Sequence, residues 1–216
     1  LSFNPRITWL FVIENPDKNW NWGGLSINPS ISFDTIKENL GYPWDWERLS
    51  VSDKITWDIV KNNLDLPWKW EHLSENSIIT WEIIEANLDK PWSFYKFISY
   101  NSNVNSDVLL NVIRATPDYP WDWGSNGLSY DINTTWQLIE ENIDKPWCWD
   151  ALSSKSFITW DIIKDNLDKP WNWSTISYNS ILTWDIIKNN PDKPWSWKSL
   201  SNNLIITWDI VKNNLD

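Results

Sequence analysis

The stretch "TWDIVKNNLDLPWKWEHLS", Thr56 to Ser74, returns nearly unchanged as "TWDIIKDNLDKPWNWSTIS", Thr159 to Ser177. Anchoring each copy at the residue before its first tryptophan gives starts at Thr8, Ser32, Thr56, Thr80, Leu109, Thr135, Thr159, Thr183 and Thr207, at intervals of 24, 24, 24, 29, 26, 24, 24 and 24 residues. A fixed period broken only near the middle is the mark of a solenoid whose units each contact their neighbours. The spacing predicts an all-α fold: an α-solenoid of about nine short two-helix repeats, forming one array over residues 1–216 with irregular units at about 93–129.

Within a copy, Thr56 suits a helix N-cap, Asp58 puts negative charge in the first turn, and Ile55 with Val60 forms a hydrophobic staple. Trp57, Val60 and Leu64 recur at helical spacing and define one apolar face of this first helix, helix A. Asn63 stands where helix A must stop, as do Asn15, Asn39, Asn87, Asn142, Asn166, Asn190 and Asn214. Asparagine tolerates a left-handed terminus, so capping is expected of this row rather than ligand binding. A second short helix, helix B, is expected from Asp65, with Pro67 in its first turn and Trp68 and Trp70 on opposite sides. A strand-containing coil is the competing architecture, because "ITW" and "WxW" also alternate.

Helices of about eight residues are not stable alone, so each must borrow stability from its neighbours. The chain carries 22 tryptophans, and an aromatic side chain buries roughly 150–250 Å². Trp57, Trp68, Trp70, Trp81, Trp92, Trp136, Trp147, Trp149, Trp160, Trp171, Trp173 and Trp184 are therefore expected to form the structural core between stacked repeats.

A net charge of −11 opposes nucleic-acid binding, which needs clustered lysine and arginine. No apolar run is long enough to span a bilayer, so membrane insertion is not expected. The single cysteine, Cys148, cannot form an intrachain disulfide, and it lacks the companions of a metal ligand or nucleophile. His72, the only histidine, reads as a surface residue. No catalytic residue, metal site or cofactor is predicted. The middle residue of Trp-x-Trp, the two after it and the last helix A positions such as Lys61 and Asn62 are free to vary, as expected of positions where a repeat protein writes specificity.

The pattern breaks at "YNSNVNSDV", Tyr100 to Val108, where Ser106 and Asp107 offer a new cap and a helix longer by nearly a turn. A glycine-bearing loop, "DWGSNGLS", Asp122 to Ser129, follows. Loops on a rigid scaffold often carry function, which makes Tyr100, Asn101, Asn103, Asn105 and Asp107 a candidate interaction loop.

The phrase "NPDKPWSWKSLS", Asn190 to Ser201, followed by "ITWDIVKNN", resembles the tryptophan-rich tandem repeats of large nucleocytoplasmic DNA viruses, including giant viruses. The resemblance covers nearly the whole chain and implies a viral origin with a structural or interaction role. It leads to a non-enzymatic scaffold, virion- or capsid-associated, that binds capsid or other virion proteins along an extended surface. The expected location is the virion or host cytoplasm. A host-directed interaction module and a carbohydrate-binding repeat protein are the alternatives. The chain opens on Leu1 and stops part-way through a copy, which reads as a segment of a longer array.

Overall fold

The structure, a computed structural model, describes residues 1–124 and 126–212; Ser125 and Asn214 lie outside them. Among the described residues every regular element is a helix and none is a strand. The chain divides into two compact units, Leu1–Pro117 and Asp118–Asp216, each an all-α solenoid of stacked repeats. In the first, helices A are α1 (Trp9–Ile13), α3 (Phe33–Glu38), α5 (Trp57–Lys61), α7 (Trp81–Glu85) and α9 (Ser106–Ala115). Helices B are α2 (Trp22–Ser26), α4 (Trp46–Ser50), α6 (Trp70–Leu73) and α8 (Phe94–Tyr100). In the second unit, helices A are α10 (Trp136–Glu141), α12 (Trp160–Asp165), α14 (Trp184–Asn189) and α16 (Trp208–Lys212). Its helices B are α11 (Trp149–Leu152), α13 (Trp173–Tyr178) and α15 (Trp197–Leu200).

Helix A starts where the sequence places it. The Thr56 hydroxyl accepts from the Ile59 amide at 3.3 Å, as does that of Thr159 from Ile162, and the staple residues Ile55 and Val60 are fully buried. Its end differs from expectation, because none of the described residues has a positive φ. Asn39, for example, sits at φ −129°. The asparagine works through its side chain instead: Asn63 Nδ2 donates to the Ile59 carbonyl at 2.7 Å, filling an acceptor that the finished helix leaves open. The same bond recurs from Asn15, Asn39, Asn87, Asn142, Asn166 and Asn190. Leu64 falls beyond α5 and is 47 % exposed, so it does not belong to the core face assigned to it from spacing.

Helix B begins later than expected, at Trp70 rather than at Asp65. The Asn63 carbonyl accepts from the Leu66 amide at 3.2 Å and from the Trp68 indole Nε1 at 2.8 Å. These two hydrogen bonds turn the chain back, and Pro67 disfavours helix at Leu66. The aspartate of the Asp-Lys-Pro copies is consequently no cap; Asp89, Asp168 and Asp192 pair with the following lysine at 2.6, 3.0 and 2.8 Å. The true N-cap is the middle of Trp-x-Trp: Asp45, Asn172 and Ser196 accept from the amides of Arg48, Thr175 and Ser199. Lys69 and Cys148 make no such bond, and α6 and α11 are four residues long.

Helices B stack on one another, α2 on α4, α4 on α6, and α13 on α15. A repeat's core is an N′ isoleucine, a helix A aliphatic, the first Trp of Trp-x-Trp and the helix B leucine or isoleucine; Ile158, Ile163, Trp171 and Ile176 are 0, 0, 5 and 0 % exposed. Each such aliphatic contributes about 1.5–3 kcal/mol on burial.

The helix expected to be longer is: α9 spans ten residues, capped by Asn105 Oδ1 from the Val108 amide at 3.0 Å, one residue ahead of Ser106. After Trp123, turns replace helix B. The Leu128 amide closes on the Asp122 carbonyl at 2.7 Å, and a Cβ at Gly127 would lie 1.9 Å from that same oxygen, so only glycine fits.

Candidate functional site

The residues that repeat most strictly converge where one repeat meets the next, and three contacts build each junction. The first is aromatic. Leading tryptophans insert between two rings of the preceding repeat: Trp44 lies 5.5 Å from Trp9 and 5.2 Å from Trp22, and Trp68 5.7 Å from Phe33 and 5.2 Å from Trp46. Trp92 sits against Trp57 and Trp70, Trp171 against Trp136 and Trp149, and Trp195 against Trp160 and Trp173. Contacts with the helix B ring are edge-on at 79–89°, the orientation the ring quadrupoles favour. Of the tryptophans assigned to the core, Trp68, Trp81, Trp92, Trp147 and Trp171 are buried, whereas Trp57, Trp70, Trp136, Trp149, Trp160, Trp173 and Trp184 are half-buried. Trp197 and Trp208 are exposed.

The second contact is a serine that sequence reasoning passed over. Ser26, Ser50, Ser74, Ser129, Ser153 and Ser177 are fully buried, and each hydroxyl accepts from the amide at the middle of the next repeat's Trp-x-Trp, or Trp-x-Phe for Ser74, at 2.8–3.0 Å. Ser50, Ser74 and Ser153 also donate back to the carbonyls of Trp46, Trp70 and Trp149. Helix B and its successor are thereby tied through one oxygen. The available signal was the Leu-Ser or Ile-Ser pair at a constant interval.

The third contact fills a nest of backbone carbonyls after helix B. Asn76 Nδ2 donates to Ser50 O at 3.0 Å and Ser52 O at 3.4 Å of the preceding repeat; Asn28, Asn179 and Asn203 do likewise. Two lysines reach the same kind of nest. Lys54 Nζ donates to Asn28 O and Ile31 O at 3.3 and 3.0 Å, and Lys155 Nζ to Asp131 O at 2.8 Å. Burial pushes the Lys54 amine down to about 8, and Lys155 is lowered by burial against the opposing pull of the Asp131 carboxylate.

The candidate interaction loop divides on this basis. Asn101 is buried and donates to Ser74 O, Asn76 O and Ile79 O, so it is a junction residue and not one offered to a partner. Asn103 bonds Ser77 O and Ile79 O, and Asn105 caps α9. Tyr100, 61 % exposed and edge-on to Tyr95, and Asp107 remain on the surface. His72 is half-buried, its Nδ1 enclosed without a hydrogen-bond partner. Lys96, one repeat further on, is raised by hydrogen bonds to Glu75 and Glu71. Where the middle of Trp-x-Trp is Asn21, Asp45, Asn172 or Ser196 it caps its own helix end, whereas Lys69 and Cys148 make no cap bond.

The solvent side of helix A carries the same charged pair in most repeats. Asp58 with Lys61 and Asp161 with Lys164 are exposed ion pairs at 2.6 and 3.1 Å, and Asp34 with Lys37 occupies the same places on α3. On α1 those places are Leu10 and Ile13, 59 and 45 % exposed. Among the described residues no helix is long and apolar enough to cross a membrane. No protein-family profile, curated protein or solved structure matches the chain.

Proposed function

We propose that the chain is a non-enzymatic repeat scaffold that binds protein partners along its surface, as a virion- or capsid-associated component. The observation that carries this reading is the allocation of its polar side chains. The repeated serines, asparagines and indole N–H groups are consumed by helix ends and junctions. The outer side of helix A keeps an acidic residue and a lysine in most repeats, as at Asp58 and Lys61, and turns apolar on α1 at Leu10 and Ile13. A constant interior with an outer row that changes at particular repeats is how repeat proteins separate folding from recognition.

The viral placement draws on the resemblance of the Asp-Lys-Pro-Trp-x-Trp and Thr-Trp-Asp-Ile-Ile phrases to giant-virus repeats. Quantitative proteomics of purified particles tests it: the chain is expected at structural stoichiometry, and its absence from particles late in infection contradicts the assignment. The apolar outer side of α1 also suits a host-directed module. Proximity labelling in infected cells separates the two, since a host module is labelled with host proteins before particles assemble. A sugar platform would need open indole faces, and the leading tryptophans Trp44, Trp68, Trp92, Trp171 and Trp195 are all under 9 % exposed.

A further inference from the structure

Asparagine side chains hold the junctions and helix ends of this chain together, and Asn126 does neither. The pair Asn126-Gly127 occurs once in the sequence, in the Asp122 to Ser129 loop where turns stand in place of a helix B. Asn126 is exposed, and among the described residues its carboxamide meets no hydrogen-bond partner. The asparagines followed by serine, the next smallest neighbour, are all engaged. Asn76, Asn101 and Asn179 donate to carbonyls of the preceding repeat, and Asn105 caps α9. A free carboxamide can swing toward the backbone nitrogen that follows it, and glycine offers that nitrogen without a side chain to shield it. The Gly127 amide donates to Gly124 O at 3.3 Å, longer than a usual N–H···O bond, so it is weakly held. Glycine is also obligatory here, because a Cβ at 127 would run into the Asp122 carbonyl. The fold therefore demands, after Asn126, the residue that leaves this asparagine most reactive.

We propose that Asn126 is a self-modification site, converting in the folded chain to aspartate and isoaspartate through a cyclic imide. The Gly127 nitrogen gives its proton to solvent and bonds to the side-chain carbonyl carbon of Asn126. The carboxamide nitrogen takes up a proton from solvent and leaves as ammonia. Water then adds to one of the two imide carbonyl carbons, and the C–N bond at that carbon breaks. Opening at the side-chain carbonyl gives aspartate. Opening at the main-chain carbonyl gives isoaspartate, which inserts a methylene into the main chain and leaves a free carboxylate beside it. No oxidant or reductant takes part. The insertion falls inside the turn that the Leu128 amide closes on the Asp122 carbonyl, just ahead of Ser129, whose hydroxyl accepts from the Cys148 amide at 2.8 Å. Conversion thus loosens a junction of the second unit with age, whatever partner the scaffold binds.

The test is incubation of the full chain at neutral pH, with peptide mapping of every asparagine and fragmentation that separates aspartate from isoaspartate. Asn126 is expected to convert at least about tenfold faster than Asn76 or Asn101, which must first leave their hydrogen bonds. In urea the rates at Asn76 and Asn101 should rise, with little change at Asn126. As isoaspartate accumulates, hydrogen exchange at the Cys148 amide should quicken in the converted fraction. In Asn126→Gln, aged in the same way, that amide should stay slow. Conversion of Asn126 no faster than that of Asn76, or a rate that climbs as steeply in urea, overturns the proposal. Aspartate as the sole product overturns the imide route, and unchanged exchange at Cys148 after conversion overturns the effect on the junction.

Discussion

Two neighbouring junctions of the first unit share two contacts and differ in the third. At one, Trp44 inserts between Trp9 and Trp22, the Asp45 amide meets Ser26, and Lys54 fills the carbonyl nest. At the next, Trp68 inserts between Phe33 and Trp46, the Lys69 amide meets Ser50, and Asn76 fills the nest. The ring seat and the serine bond are thus the fixed parts of the junction, and the nest accepts any donor that reaches it. An amide meets the carbonyls without charge, whereas an ammonium must first be desolvated.

The largest effect belongs to the shared ring. Trp68→Ala and Trp44→Ala should each cost about 3–5 kcal/mol in urea unfolding, by the same amount at both junctions within error. A Trp44 cost far below that of Trp68 would break the equivalence. Ser50→Ala and Ser26→Ala come next, at about 1–3 kcal/mol each, because the amides of Lys69 and Asp45 are left without their acceptor. Ser50→Thr, which keeps the hydroxyl, should recover part of the loss and separates the bond from the packing.

The third contact is where the junctions ought to diverge, and pH reveals it. Burial pushes the Lys54 amine down to about 8 in the folded chain, below the ordinary 10.5 of an unfolded lysine. Between those values the unfolded chain binds more protons, so this site makes stability rise with pH from about 8 and level off above 10.5. The double substitution Ser52→Asn with Lys54→Ile copies the Asn76 and Ile78 pair of the next repeat. It should remove that rise and gain about 1 kcal/mol at neutral pH, as read from urea midpoints across the pH range. The smallest effect is expected at the outer ion pair: Lys61→Ala should change stability by no more than about 0.5 kcal/mol, because Asp58 and Lys61 are both solvent-exposed.

Much of this was legible in the sequence. Period, helix A and its threonine cap, the staple and the lengthened α9 follow from local rules that require no knowledge of neighbours. Helix B was misplaced because Asp65 and Pro67 match a helix start by composition, while the deciding bond, Trp68 indole to Asn63 carbonyl, is a side-chain contact outside such rules. Leu64 matched the helical period but lay past a helix that ends after Lys61. Asn101 looked like part of a variable loop, yet one inserted residue brings it onto the same carbonyl nest that Asn76 serves one repeat earlier. The serine row was visible as a repeat and opaque as a mechanism, since its acceptor role involves an amide 19 residues away. Lys54 carried no periodic signal at all, because its position holds Arg6, Ser30, Asn133 or Phe157 in other repeats.

The central claim is that the amide between the paired tryptophans is locked by the preceding repeat's serine. Hydrogen exchange of the Lys69, Ser93, Asn172 and Ser196 amides tests it directly, because N-cap amides have no partner within their own helix and ordinarily exchange fast. The structure predicts that they exchange as slowly as the helix-interior amides of Leu73 and Ile176. Exchange at the rate of exposed turn amides would contradict it.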